Sequence, residues 1–169
     1  VIKNAINYEL DREGQVFVLY NRVETIYEFA SYIQKLVPNA KIAVGHGQLD
    51  EKTLEQVMVD FANGEYNVLV ATTIIESGLN IENANTIIIT NSEKFGLAQL
   101  YQLRGRVGRA QRQAYCYCLY NKNKNLTEEA IKRLKAIKDF TTLGSGYQIA
   151  LRDIEIRGVG NLLGTKQHG

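Results

Sequence analysis

Cysteine is scarce. The two in 169 residues, Cys116 and Cys118, lie too close in one apolar stretch to bond each other and cannot build a disulfide framework. That usage predicts a reducing, intracellular setting, with the cytoplasm as the expected location. With only two histidines beside them, they make a poor zinc set, and no metal ligands are expected. A single proline, Pro38, leaves no Pro-rich linker and no boundary visible in composition. Apolar runs such as Ile87-Ile88-Ile89 are far too short for a membrane span, and no basic segment leads into an apolar stretch as in a signal peptide. No charge sign dominates: 20 Lys and Arg against 18 Asp and Glu give +2, too little to announce nucleic-acid binding by itself. No G-x-x-x-x-G-K-[ST] occurs, so the glycine-rich phosphate cradle and its Mg²⁺-binding hydroxyl are missing. What remains, 45% hydrophobic and 22% charged, suits a globular domain that buries a core and excludes disorder as the dominant state.

The apolar pattern alternates between two periods. Ile2, Ile6 and Leu10 form one face of a short helix ending by Gly14. Gln15 to Tyr20 is an apolar, β-rich run that reads as a buried strand. Asn21 is placed to cap a helix with Val23, Ile26, Tyr27, Ala30, Ile33 and Val37 facing the core. Lys41 to Val44 predicts a second strand, broken by Gly45-His46-Gly47. Asp50 then caps a helix with Leu54, Val57, Met58 and Phe61 inward and Gly64 at its stop. Further strands are expected at Asn67 to Ala71, Thr86 to Thr90 and Ala114 to Tyr120, with a helix from about Leu97 to Val107. Strands apolar throughout and alternating with helices predict an α/β fold, a parallel sheet covered on both faces, over residues 1–121. Ligands of such a sheet gather at the carboxyl ends of its strands.

After Asn121 the pattern changes. A polar connector leads to Thr127, the expected cap of a helix whose inner face is Ala130, Ile131, Leu134 and Ile137. From Gly144 onward glycine is frequent and no strand pattern returns, so residues 122–169 are expected to form a helical appendage.

The chemistry concentrates in arginine. Arg104, Arg106, Arg109 and Arg112 fall within nine positions with no acid among them. Arg106 and Arg109, three apart, share a helix face, and the flanking Gly105 and Gly108 each cost roughly 1 kcal/mol in a helix interior. A permanently charged guanidinium forks onto phosphate oxygens, so a dry pair suits a polyphosphate transition state better than a solvated basic face. Asp50-Glu51 looks superficially like a Mg²⁺-holding acidic box. It opens a helix after a glycine turn instead of closing an apolar strand, and reads as a cap.

The stretch Gln102 to Arg109, Gln-x-x-Gly-Arg-x-x-Arg, resembles motif VI of superfamily 2 helicases and translocases. Val68 to Ile81 resembles their motif V, and Val16 to Val23 their motif IV. Phe95 to Arg109 and the tail Ile149 to Gly169 narrow the resemblance to two families, the transcription-repair coupling factors and the RecG-type branch-migration helicases. Leu19 to Glu24 resembles the coupling factors. The resemblance implies a RecA-like second motor domain with a C-terminal helical hairpin, working with ATP and Mg²⁺ that a first motor domain mainly holds. It makes Arg106 and Arg109 arginine fingers and Gln102 a positioner of water or phosphate. Glu76, Gly78 and Asn80 would lie beside the nucleotide. Thr72, Thr73, Gly47 and Gln48 would grip the DNA backbone, and Arg152, Arg157 and Gln167 would couple domain closure to DNA movement. The families usually carry Asp where this chain has Asn80, and Pro where it has Glu82. An Asn still bonds a ribose hydroxyl, but without charge.

The implied whole is an ATP-dependent double-stranded DNA translocase that displaces stalled RNA polymerase and recruits excision-repair proteins through other domains, with no membrane partner. The isolated chain, lacking the phosphate cradle, is expected to be inactive alone. A RecG-type helicase domain and a non-catalytic nucleic-acid-binding module of the same fold are the alternatives. A phosphate cradle and acidic box upstream in the full protein would separate the motor from the module.

Overall fold

Strand β1, Gln15–Leu19, is buried at every position, as a strand flanked on both edges and covered on both faces must be. The computed structural model describes residues 2–72, 83–90, 114–121, 128–129, 131–132 and 147–154. In chain order these form α1 (Ile2–Asp11), β1, a 3₁₀ turn (Val23–Thr25), α2 (Ile26–Leu36), β2 (Ile42–Gly45), α3 (Glu51–Ala62), β3 (Val68–Ala71), β4 (Ala84–Ile89), β5 (Ala114–Asn121) and β6 (Tyr147–Ile154). The strands make one sheet in the order β2-β3-β1-β4-β5-β6, every pair parallel.

Alternate residues of the central strands build the two faces. Val16, Val18 and Tyr20 of the β1 segment, with Val68, Val70 and Ile88, join Ile2, Ala5 and Ile6 of α1 and Ile26, Phe29, Ala30 and Ile33 of α2 in one apolar cluster. On the opposite face Gly45 and Leu69 lie under Leu54 and Val57 of α3, whose Met58 and Phe61 are fully buried. Gln15 ties that side to the end of α3: its amide donates to the carbonyls of Phe61 at 2.6 Å and Tyr66 at 2.8 Å.

Helix ends follow from their residues. Gly64 (φ 89) ends α3, its N–H donating to Phe61 O and that of Glu65 to Asp60 O, the paired bonds that close a helix through a left-handed residue. At the end of α1 the same bonds form, but Glu13 (φ 64) takes the left-handed position and Gly14 follows it. Gly14 is required there by the carboxylate of Glu9, which is fully buried. Arg12 holds that carboxylate with Nε on Oε2 at 2.9 Å and Nη2 on Oε1 at 2.7 Å, and the Thr86 hydroxyl donates to it as well. The Arg12 guanidinium lies 5.3 Å from the Tyr8 ring and 5.2 Å from that of Tyr115, and its hydrogen bond to Glu9 holds its pKa above the usual value. The buried Glu9 carboxylate is thus both ion-paired and hydrogen-bonded.

Three expectations are corrected. Asn21 does not cap α2: the chain first makes the 3₁₀ turn, and Thr25 stands at the N-cap with its hydroxyl on Tyr20 Oη at 2.6 Å. Tyr27 is not a core residue. It is 55% exposed and Phe29 is buried in its stead, stacked on Tyr20 with ring centroids 4.3 Å apart. Most consequentially, residues 147–154 are not helical. They form β6, parallel to β5 from Ala114↔Tyr147 to Asn121↔Ile154, because the edge of β5 offers unpaired backbone groups that an eight-residue strand satisfies. Asp50 does stand at the N-cap of α3, through its extended backbone and its carbonyl on Leu54 N. Residues 128–129 and 131–132 are helical, and Ile131, expected inward, is 42% exposed.

Candidate functional site

The strand order reverses at β1: the chain builds β2 and β3 on one side of it and then crosses to β4 on the other. In a parallel sheet this switch opens a crevice at the carboxyl ends of the strands, where connecting loops must part. Short bonds shape that edge here. Tyr20 N donates to Ala71 O at 2.8 Å, and Thr90 donates to Leu19 O through both its N–H (3.1 Å) and its hydroxyl (2.8 Å). Tyr20 itself is fully buried, and that burial pushes its pKa up.

Two of the expected DNA-contacting groups meet on this edge. Thr72, directly after β3, donates its N–H to Gly45 O, the last residue of β2, at 3.2 Å. Gly47 and Gln48 follow on the same strand end and are exposed. The structure therefore sets Thr72 beside Gly45, the residue from which the chain runs on into Gly47 and Gln48. Thr72 is buried and its N–H is committed to β2, so that N–H is not free for an anion.

The Gly47–Gln48 loop hangs on His46. This imidazole is 7% exposed, and its Nδ1 accepts the Gln48 N–H at 3.2 Å. A backbone N–H only donates, so Nδ1 carries no proton and the neutral ring bears its hydrogen on Nε2. Nε2 lies 3.0 Å from the hydroxyl of Tyr27, whose ring meets the imidazole edge-on at 5.5 Å. His46 is thus a turn residue with both nitrogens engaged. Sequence reasoning missed Tyr27 because helical periodicity had placed it in the core, and no signal in the chain links it to a residue nineteen positions on.

The remaining candidates are placed as follows. Arg152 lies in β6, in register with Leu119 of β5, and so on a strand of the sheet instead of in a helical hairpin. Thr73, Glu76, Gly78, Asn80, Gln102, Arg106, Arg109, Arg157 and Gln167 lie outside the described residues. Among the described residues there is no group of three or more His, Cys, Asp or Glu suited to a metal ion, and no helix long and apolar enough to cross a membrane.

The six parallel strands among the described residues, with this switch point, define a class. Residues 1–111 match the helicase conserved C-terminal domain, and the chain belongs to that family. It is 60% identical over 168 residues to the transcription-repair-coupling factor of Staphylococcus haemolyticus (strain JCSC1435), and 59% identical to that of Staphylococcus aureus (strain NCTC 8325 / PS 47). Each alignment covers 99% of this chain, which spans 14% of the length of either relative. Among solved structures, RecG bound to a three-way DNA junction superposes with a TM-score of 0.67 at 39% identity, over 80% of this chain and 18% of that one. The C-terminal domain of S. cerevisiae Dbp5 L327V, bound to Gle1 H337R and IP6, superposes at 0.61 over 88% of this chain and 83% of that one. At 16% identity it shares the fold alone. The fold is the RecA-like fold of helicase C-terminal domains.

Proposed function

We propose that this chain is the second motor domain of an ATP-dependent double-stranded DNA translocase of the transcription-repair-coupling type. The observation that carries the reading is the extent of the similarity. Identity of 60% runs over 99% of the chain, well past residue 111 where the helicase family match ends, and so includes the tail. A RecG-type role rests on a weaker likeness, 39% identity over 80% of the chain.

In this reading bound ATP with Mg²⁺ supplies the phosphoanhydride whose hydrolysis drives movement. The first motor domain of the full protein holds most of it, because this sequence has no phosphate cradle. Arg106 and Arg109 reach across the interdomain cleft toward the terminal phosphate, where fixed guanidinium charge meets charge that develops during transfer. Gln102 orients the attacking water or the phosphate, and Glu76, Gly78 and Asn80 line the nucleotide. Gly47, Gln48, Thr73 and the hydroxyl of Thr72 grip the phosphate backbone and read no sequence, as a translocase on any duplex requires. Arg152, Arg157 and Gln167 couple nucleotide-driven closure to DNA movement. RNA polymerase and excision-repair proteins engage other domains, and the protein works in the cytoplasm. Alone, the chain hydrolyses no ATP.

The test is Arg109→Ala in the full-length protein. DNA binding is expected to persist while DNA-stimulated ATP turnover falls on the order of 10³-fold or more, the usual cost of an arginine finger. Near-normal turnover removes Arg109 from the active site.

A further inference from the structure

We propose that Tyr27 is a positioning residue for the DNA track, acting through His46 on the Gly47–Gln48 loop; this rests on reading that loop as a phosphate-backbone contact. Three observations combine. Tyr27 is a large aromatic residue 55% exposed on α2, yet its hydroxyl and ring edge are both spent on His46, at 3.0 Å and 5.5 Å. His46 is buried and uses its other nitrogen to hold Gln48 N–H at 3.2 Å. Gly47, between the two, has no side chain to stiffen the turn, while Leu49 N closes it onto His46 O at 3.2 Å.

The chain of contacts runs from Tyr27 Oη to His46 Nε2, across the ring to Nδ1, and on to the backbone of Gln48. Its two ends impose one tautomer. Accepting from Gln48 leaves the proton on Nε2, and the Tyr27 oxygen is the acceptor that fixes the ring plane. A loop held in one shape before DNA arrives loses less conformational freedom on binding, which is gained affinity without a new contact. The Tyr27 hydroxyl therefore strengthens DNA binding without touching DNA. Removing one such hydrogen bond weakens binding about fivefold.

The test uses the full-length protein and measures DNA-stimulated ATP hydrolysis against the concentration of a blunt duplex of random sequence. Tyr27→Phe keeps the ring and deletes the hydroxyl. It is expected to raise the duplex concentration for half-maximal rate about fivefold while the rate at saturating duplex is kept. His46→Asn retains an oxygen that can accept the Gln48 N–H but has no atom at the Nε2 position that meets Tyr27. In that background Tyr27→Phe is expected to add no further loss, since coupled residues are not additive. Gln48→Ala serves as the reference for the loop itself. If Gln48→Ala weakens the duplex response and Tyr27→Phe does not, the positioning role falls alone. If neither weakens it, the role falls together with the DNA-contact reading of the loop. An equal penalty for Tyr27→Phe with His46 and with Asn at position 46 shows that Tyr27 acts independently of His46, and overturns the proposal.

Discussion

Gly14 vacates the space that the carboxylate of Glu9 fills: a Cβ at position 14 would overlap Glu9 Oε2 and crowd its Cδ. The oxygen it would displace is one of the pair that Arg12 holds, in a residue fully shielded from water. The glycine is therefore a packing requirement of an ion pair whose carboxylate is buried.

Gly14→Ala is expected to destabilise the chain by about 3 kcal/mol, because a displaced carboxylate loses its guanidinium while remaining buried. Equilibrium urea unfolding checks this. A loss under ~1 kcal/mol, the level of an ordinary surface change, would show that Glu9 relocates without penalty.

The neighbouring position should respond in the opposite sense. Glu13 occupies the left-handed region at φ 64, where a side chain crowds its own backbone. Its carbonyl accepts from the Asn83 amide at 3.1 Å, a bond that any residue at position 13 keeps. Glu13→Gly is expected to stabilise α1's end by about 1 kcal/mol. A shift of the urea midpoint to lower concentration would contradict it.

Tyr20 gives a prediction in pH. Its pKa is raised in the folded protein, first by burial, with the Thr25 hydrogen bond opposing in part. Above about pH 10 the unfolded chain releases the phenolic proton while the folded chain retains it, so unfolding is favoured as pH rises. The stability linked to Tyr20 is complete below about pH 10 and is lost as pH climbs toward the folded value. Tyr20→Phe is expected to flatten the alkaline fall in melting temperature, at a cost near neutrality of about 1 kcal/mol for the lost bond to Thr25. An unchanged alkaline slope would place the titration on other groups.

How much of this was legible in the sequence varied with the physics that decides each element. β1 and β3, and the Ile87–Ile89 run of β4, are apolar at nearly every position because both faces are covered, and such runs announce themselves. Helix α2 was located, but its apolar face was drawn through Tyr27; the buried residue is Phe29, three after Ile26 and four before Ile33, stacked on Tyr20. β6 was invisible, since Gln148, Arg152 and Asp153 interrupt its apolar residues and its strand character comes from pairing along β5. At the site, the motifs singled out Thr72, Gly47 and Gln48, and the structure sets Thr72 beside Gly45 at the end of β2. They said nothing of the bond between Thr72 and Gly45 or of the tyrosine behind His46, because both arise only when distant segments are brought together.

The order of the strands bears on how the domain can be cut. β4 is buried at all six positions and lies between β1 and β5. A fragment stopped at residue 111, where the helicase family match ends, would omit β5 and β6 and leave one flank of Ala84–Ile89 bare. That flank would present unpaired backbone N–H and C=O groups, a template for the same strand of another molecule. The segment beyond residue 111 thus also covers that flank, with β5 paired along Thr86–Ile89 and β6 in turn along β5.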